Sequence, residues 1–213
     1  MENCLHKFKI FKQGFTLAEV LITLVIIGVV AAMTIPNIIY ETKKHEYSAR
    51  LKKFYSTMKQ VQQKAAADGK SWSDWALTQN GGTRGVEIAS AFQDGYILPY
   101  MSYFKTEESG AYRKVYLNDG SYFSNQKGTC IDFVFDVNGD KLPNEVGRDI
   151  YTFIYCPGGF SDYWTITDEF IPYQESYYSR STALSICRTL PNHCSALLRI
   201  DGWEFKSDYP HRL

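Results

Sequence analysis

Gly14-Phe15-Thr16-Leu17-Ala18-Glu19 opens the stretch of sequence that decides the fold, and a run without any charged side chain, Val20 to Tyr40, follows it directly. A helix rises about 1.5 Å per residue, so about 20 residues cross the hydrocarbon core of a bilayer. The run is long enough to do so, and a helix satisfies its own backbone polar groups within lipid. The sequence therefore predicts one hydrophobic transmembrane helix near the N-terminus.

The residues around this run argue against two ordinary explanations of it. The preceding segment is basic, with three lysines and a single acid. A signal peptide has a shorter apolar region, of about 7–15 residues, and a small-x-small cleavage site after it, which this run does not show. A plain membrane anchor accounts for the hydrophobicity but not for Glu19, because a carboxylate near the start of a membrane helix opposes insertion.

The segment from Gly14 to Ile22 closely resembles the cleavage and methylation signal of type IV prepilins and type II secretion pseudopilins. The resemblance implies cleavage between Gly14 and Phe15 by prepilin peptidase, N-methylation of the new Phe15 amine, and retention of the hydrophobic helix. It gives Glu19 a role in assembly, and Pro36 falls where many pilins have a helix-kinking proline. The implied fold is α+β and pilin-like, with a long N-terminal helix packed on a small antiparallel sheet.

The chain divides by pattern into four segments. They are a leader peptide (1–14), a transmembrane or filament-core helix (15–40), an amphipathic continuation of that helix (41–68) and an extracytoplasmic globular head (69–213). The amphipathic continuation contains one apolar stripe, in which spacings of four and three residues alternate. Its residues are Tyr47, Leu51, Phe54, Met58, Val61 and Ala65. Such a stripe packs on the protein's own sheet or on a coiled-coil partner, and we favour the sheet. Asp68-Gly69 predicts the end of the helix.

Four segments of the head have the pattern of β-strands. Tyr112–Leu117 and Ser121–Ser124 flank Asn118-Asp119-Gly120, a turn sequence that reaches positive φ, and they predict a hairpin. Cys130–Phe135 and Ile150–Cys156 predict two further strands. Together these segments predict a small antiparallel sheet that lies on the amphipathic helix.

Five cysteines are present, and four of them lie in the head, whereas Cys4 lies in the leader. An even number in the head indicates two disulfides and an oxidising compartment, although four cysteines allow three pairings. Our hypothesis pairs Cys130 with Cys156, because they lie at facing ends of two predicted strands, and Cys187 with Cys194, which enclose a turn at a proline. Zinc at Cys187, His193 and Cys194 is a weaker alternative, since further ligands at a suitable spacing are missing.

The loop between the last two predicted strands carries oxygen-bearing side chains at alternate positions, Asp136, Asn138 and Asp140. Calcium takes six to eight oxygen ligands, and Asn144 and Asp149 lie in the same loop. The EF-hand pattern is not met, however, because its glycine and its closing glutamate are absent. Two interpretations therefore stay open, a calcium site and a metal-free turn in which these side chains bond their own backbone.

Composition narrows the class of function. The formal net charge of the 213 residues is zero, which gives no argument for nucleic acid as a partner. No phosphate-binding glycine loop and no nucleophile–base constellation is visible, so an enzyme is not expected. Tyrosines such as Tyr173, Tyr177 and Tyr178 serve either an adhesive surface or ordinary packing.

The resemblance implies a non-enzymatic structural subunit of a type IV pilus-like or type II secretion filament. Its partners would be prepilin peptidase, other pilin or pseudopilin subunits, the filament assembly machinery and the membrane. The chain would cross the cytoplasmic membrane once with its head outside, although the positions of nearby lysines and arginines weakly favour the opposite orientation. The alternative is a membrane-anchored extracytoplasmic ligand-binding module that does not polymerise.

Overall fold

The structure is a computed structural model that describes residues 14–78, 85–110, 112–127, 130–156, 167–173 and 179–213. Its helices are α1 (Leu17–Ala67), α2 (Trp72–Thr78), α3 (Val86–Phe92), α4 (Arg180–Thr189) and α5 (Cys194–Ile200). Its strands are β1 (Lys105–Ser109), β2 (Tyr112–Tyr116), β3 (Tyr122–Lys127), β4 (Ile131–Asp136), β5 (Ile150–Cys156) and β6 (Thr167–Pro172). The chain forms two compact units, Met1–Glu41 and Thr42–Leu213.

In the first unit, the described residues are chiefly the N-terminal part of α1. Almost every side chain here is exposed, although the composition is strongly apolar. Within the described parts of the chain, α1 is the one helix long and apolar enough to cross a membrane, with a mean hydropathy of 2.5 over its most apolar window. Pro36 lies inside the helix, as the sequence predicts, at a position that removes one backbone hydrogen bond.

In the second unit, the rest of α1 packs on a six-stranded antiparallel sheet with the strand order β1-β2-β3-β4-β5-β6. Each strand is therefore the neighbour of the next one along the chain, which short connections favour. The predicted α+β fold, a long helix against an antiparallel sheet, is confirmed.

The stripe on α1 is buried along its whole length, and its residues share one core with the inward side chains of the sheet. Phe54 lies at the centre of this core, with its ring stacked on that of Phe135 at a centroid distance of 4.0 Å and an interplanar angle of 3°. The rings of Phe123, Phe153 and Phe170 surround the same ring at 5.4–5.9 Å. The stripe thus packs on the protein's own sheet, as predicted.

The predicted hairpin is present as β2 and β3. Gly120 has a φ of 84°. Two hydrogen bonds close the turn: the Gly120 amide donates to the Leu117 carbonyl oxygen, and the Leu117 amide donates to the Ser121 carbonyl oxygen. The predicted partner strands are β4 and β5, which pair in register at Phe133 and Phe153. The end of α1 also follows the prediction, because Gly69, two residues after the last helical residue, adopts a φ of 72°.

Several elements were not predicted. Strand β1 is polar and mostly exposed, so it carries no apolar alternation, and only its pairing with β2 makes it a strand. At the C-terminus, α4 and α5 form a separate small cluster around Cys187 and Cys194. Tyr209 packs against this cluster and also against the main core. The C-terminal segment therefore belongs to the fold of the second unit.

Because Phe54 is 1% exposed and touches four aromatic rings, a Phe54→Ala variant should lower the free energy of unfolding by about 3–5 kcal/mol. The measurement is urea unfolding of the detergent-solubilised chain, followed by tryptophan fluorescence. Phe104→Ala is the matched control, because Phe104 is 71% exposed, and its effect should stay within about 0.5 kcal/mol. Equal effects of the two changes would contradict the described core.

Candidate functional site

The predicted cleavage site lies in open chain just before α1. Gly14, Phe15 and Thr16 precede the first helical residue, Leu17, and the Phe15 side chain is 88% exposed. A Cβ atom added to Gly14 would meet nothing within 4 Å. Nothing in the described structure therefore requires a glycine at this position, so any requirement for it must come from a partner that binds the segment.

Thr16 and Glu19 form a reciprocal cap at the start of α1. The Thr16 amide donates a hydrogen bond to Glu19 Oε2 at 2.8 Å, and the Thr16 hydroxyl donates to the same oxygen at 2.7 Å. In return, the Glu19 amide donates to Thr16 Oγ1 at 3.2 Å. Sequence reasoning missed this arrangement, although Thr-Leu-Ala-Glu before an apolar run is the signature of a capping box. Both partners lie after the predicted cleavage point, so cleavage leaves the cap intact.

Two buried carboxylates lie at the ends of the loop between β4 and β5: Asp136 is the last residue of β4 and Asp149 is the residue before β5. Asp136 and Asp149 are 0% and 1% exposed. Asp149 accepts hydrogen bonds from Asn138 Nδ2 at 3.1 Å, from the Asn144 amide at 2.9 Å and from the Glu145 amide at 2.6 Å. Asp136 Oδ1 accepts a hydrogen bond from the Asn138 amide at 3.1 Å. Burial raises the pKa of the Asp136 carboxyl to about 7.

The third predicted calcium ligand, Asp140, is engaged elsewhere. Its Oδ1 accepts a hydrogen bond from Lys114 Nζ at 2.6 Å and its Oδ2 accepts one from the Tyr116 hydroxyl at 2.7 Å. The hydrogen bonds from Lys114 and Tyr116 lower the pKa of the Asp140 carboxyl. The structure therefore brings Asp136 and Asn138 together with Asp149, and it does not bring Asp140 to them.

Two family models match this chain. The prokaryotic N-terminal methylation motif matches residues 11–35. A family of unknown function, DUF6613, matches residues 37–213, which is most of the chain. The chain belongs to DUF6613. No curated protein and no solved structure matches it.

The methylation motif marks this DUF6613 chain as a pilin- or pseudopilin-type substrate of prepilin peptidase. The same motif implies assembly with pilin subunits. It ends within the exposed apolar part of α1, which fits single-pass membrane anchoring of a pilin-type protein. The DUF6613 match begins at residue 37, two residues after the motif ends, and it covers the second unit, including the loop between β4 and β5.

The head of this DUF6613 chain contains two disulfides, Cys130–Cys156 and Cys187–Cys194, the pairs of our hypothesis. The first joins the residue before β4 to the last residue of β5. The second joins α4 to the start of α5, and His211 Nε2 lies 2.8 Å from the carbonyl oxygen of Cys187. Because both sulfurs are bonded to each other, neither is available as the thiolate that zinc requires.

The tyrosines and Cys4, which sequence analysis also singled out, add little to the description of the site. The Tyr173 ring is half-buried and packs edge-to-face on His193 at a centroid distance of 5.3 Å, so this tyrosine serves packing at least in part. Cys4, Tyr177 and Tyr178 lie outside the described residues.

Removal of each disulfide should destabilise the head to a different extent. The two cysteines of the Cys130–Cys156 bridge are 26 residues apart in the sequence, and those of the Cys187–Cys194 bridge are 7 residues apart. The chain-entropy relation gives about 3.5 and about 2.5 kcal/mol respectively. The two double Cys→Ala variants, unfolded in urea without reductant, test this order. Non-reducing peptide mapping is the independent check, and crossed pairs or free thiols in the exported protein would overturn the assignment.

Proposed function

We propose that this chain is a structural subunit of a type IV pilus-like or type II secretion filament. The observation that carries the proposal is the methylation motif, which extends into the exposed apolar part of α1, the helix whose later part packs on the sheet. An apolar helix whose side chains are largely exposed in the described structure needs either lipid or other helices around it. A filament core of identical helices supplies the second environment.

Assembly would then be the mechanism. The helix is held in the membrane after synthesis, prepilin peptidase removes residues 1–14, and the helix moves from lipid into the filament core. There the Glu19 carboxylate of one subunit pairs with the Phe15 amine of a neighbour. Methylation leaves this nitrogen a basic amine, so the pairing survives the modification. Such a pair selects the register between subunits, because a misaligned subunit leaves a charge buried and unpaired.

Localisation and partners follow from this mechanism. The chain crosses the cytoplasmic membrane once, with the second unit on the outer side, where an oxidising environment permits the two disulfides. Other pilin-type subunits and the assembly machinery are its partners. The chain performs no catalysis in this account.

Mechanical shearing of cells separates this function from simple membrane anchoring. A filament subunit should appear in the sheared, high-molecular-weight fraction, and antibodies against the head should decorate fibres along their length. If the chain stayed entirely in the membrane pool of cells that express the assembly machinery, the filament function would be excluded.

A second candidate function is a membrane-anchored binding module that does not polymerise, and one observation favours it. The face of the sheet opposite α1 carries a groove of about 280 Å³, with Tyr112, Tyr122, Val134 and Ile150 among its lining residues. Apolar and aromatic walls with a few polar groups are typical of small-ligand sites. Retention in the membrane pool together with ligand binding at this groove would favour the module.

A further inference from the structure

We propose that one end of the second unit docks on the surface of the bilayer that anchors the chain, through exposed apolar side chains around Leu142. The partner is the anionic phospholipid headgroup layer at its boundary with the hydrocarbon. The proposal rests on the single-pass anchoring that is part of the proposed function, but it does not require a filament. It adds a second, peripheral membrane contact to the apolar helix.

One row of paired residues marks this end of the sheet. Strands β1 to β5 share the row, which consists of Lys105, Tyr116, Tyr122, Asp136 and Ile150. Beyond it lie the residue before β1, the β2–β3 turn and the β4–β5 loop. We call this end of the sheet the loop end. The opposite end of β1 and β2 is marked by the pair of Ser109 and Tyr112.

The most exposed large apolar side chains of the second unit lie at the loop end. Leu142, in the β4–β5 loop, is 84% exposed, and Phe104, directly before β1, is 71% exposed. Leu190 is 51% exposed, and its neighbour Pro191 lies against the β4–β5 loop, because a Cβ atom added to Gly147 would be 3.1 Å from Pro191 Cβ. Single exposed apolar residues are common, whereas their concentration at one end indicates an interaction surface.

Helix α1 joins the sheet at the same end. Its first buried residue is Tyr47, whose Oη accepts a hydrogen bond from Asn138 Nδ2 at 3.1 Å, and Arg50 Nη1 donates to the Val137 carbonyl oxygen at 2.6 Å. Tyr47 is seven residues after Tyr40, the last residue of the uncharged run. Seven helical residues rise about 10 Å, and the headgroup layer is about 5–8 Å thick on each side of a bilayer. The chain therefore keeps the loop end close to the headgroups.

The charges of the loop end suit an anionic surface. The acids of the β2–β3 turn and of the exposed part of the β4–β5 loop are neutralised by ion pairs, which are Asp119–Lys53, Asp140–Lys114 and Glu145–Arg148. Lys141, next to Leu142, is exposed and forms an ion pair with none of the described residues. A cation beside an exposed leucine is typical of peripheral membrane contacts, because it attracts anionic headgroups while the leucine enters the apolar boundary.

The shape of the loop end favours lipid over a second copy of the chain. Residues that dominate a protein interface usually fill a closely packed pocket of the partner, whereas a lipid surface adapts to scattered apolar side chains. The groove on the outer face of the sheet is lined by Val146, but not by Leu142, Phe104 or Leu190. The most exposed apolar side chains thus surround no groove of their own that a second copy would fill.

Photo-crosslinking to lipid tests the proposal. p-Benzoylphenylalanine replaces Leu142 or Phe104 in the full chain, which is reconstituted into vesicles of phosphatidylethanolamine and phosphatidylglycerol. Both side chains are exposed, so the replacements should not disturb the fold. Tyr112 is the matched control position, because it is an exposed aromatic residue at the opposite end of the sheet. After irradiation, intact mass should show lipid adducts at the first two positions and only the unirradiated background at Tyr112.

A charge reversal tests the electrostatic part of the contact. Lys141→Glu should lower the adduct yield at position 142 by about fivefold or more, because it removes a cation from an anionic surface. Lys64→Glu is the matched control, since Lys64 is exposed and lies in the last turn of α1, and it should not change the yield. In vesicles with phosphatidylcholine in place of phosphatidylglycerol, the effect of Lys141→Glu should disappear.

Three results would overturn the proposal, and flotation of the chain with the vesicles separates them. A chain that floats but gives equal adduct yields at Leu142, Phe104 and Tyr112 has no preferred membrane contact at the loop end. Adducts at Leu142 that join two copies of the chain would assign this end to a contact between subunits. A chain that does not float would contradict the anchoring itself, and the proposal with it.

Discussion

A Gly14→Val variant is expected to keep its leader almost completely. The structure makes this prediction specific, because a Cβ atom at position 14 meets nothing within 4 Å in the chain itself. The substitution should therefore leave the fold unchanged and act only where prepilin peptidase must approach the backbone closely. We expect the processed fraction to fall to background, as measured by intact mass of the membrane pool.

Gly28→Ala is the matched control for this variant. Gly28 lies in the apolar part of α1, and an added Cβ atom there also meets nothing within 4 Å. It lies well after the cleavage point, so processing should be normal. If Gly14→Val were processed as fast as Gly28→Ala, cleavage at Gly14–Phe15 would be wrong.

A Glu19→Ala variant is expected to insert and be processed, yet to be absent from filaments. In the single chain the Glu19 carboxylate accepts two hydrogen bonds from Thr16, so the cap satisfies it in part but does not neutralise it. In a filament core the negative charge is removed from water and needs a cation, for which the Phe15 amine of a neighbour is available. Incorporation should fall by roughly two orders of magnitude or more, because one partner of a buried ion pair is lost.

Two further variants separate the ion pair from the helix cap. Glu19→Gln retains the shape and much of the cap but loses the charge, so it should fail to assemble like Glu19→Ala. Thr16→Val removes the hydroxyl of the cap and retains the charge of Glu19, so it should still assemble. The comparison is the sheared filament yield relative to the membrane pool. Normal filaments from Glu19→Gln would leave the capping box as the role of Glu19.

The sequence predicted those parts of the fold whose causes are local. The stripe on α1 has a strict helical spacing, and the hairpin has a turn sequence that permits positive φ at Gly120. Strand β1 could not be predicted, because its sequence is polar and its conformation depends on pairing with β2. Helix α4 did offer a local signal, since Ser179 caps it by accepting a hydrogen bond from the Thr182 amide.

The same distinction applies to the candidate sites. The cleavage segment is linear, so the sequence contains nearly all of its information. The contacts within the loop between β4 and β5 could not be predicted in the same way, because they depend on how the chain turns. Asp140 is only four residues after Asp136, yet it contacts Lys114 and Tyr116 on β2, while Asp149 returns from the end of the loop to Asn138. Alternate spacing of oxygen-bearing residues therefore indicated a loop at which Asp136, Asn138 and Asp149 lie together, but it could not show that Asp140 contacts β2 instead.

The intact mass and N-terminal sequence of the chain recovered from sheared filaments test the central claim most directly. The account predicts a chain that starts at Phe15, carries one added methyl group on its N-terminal amine, and contains two disulfides. A chain in that fraction that starts at Met1, or one cut after Ala32 within the apolar run, would contradict it. So would the absence of the chain from the sheared fraction when the assembly machinery is present.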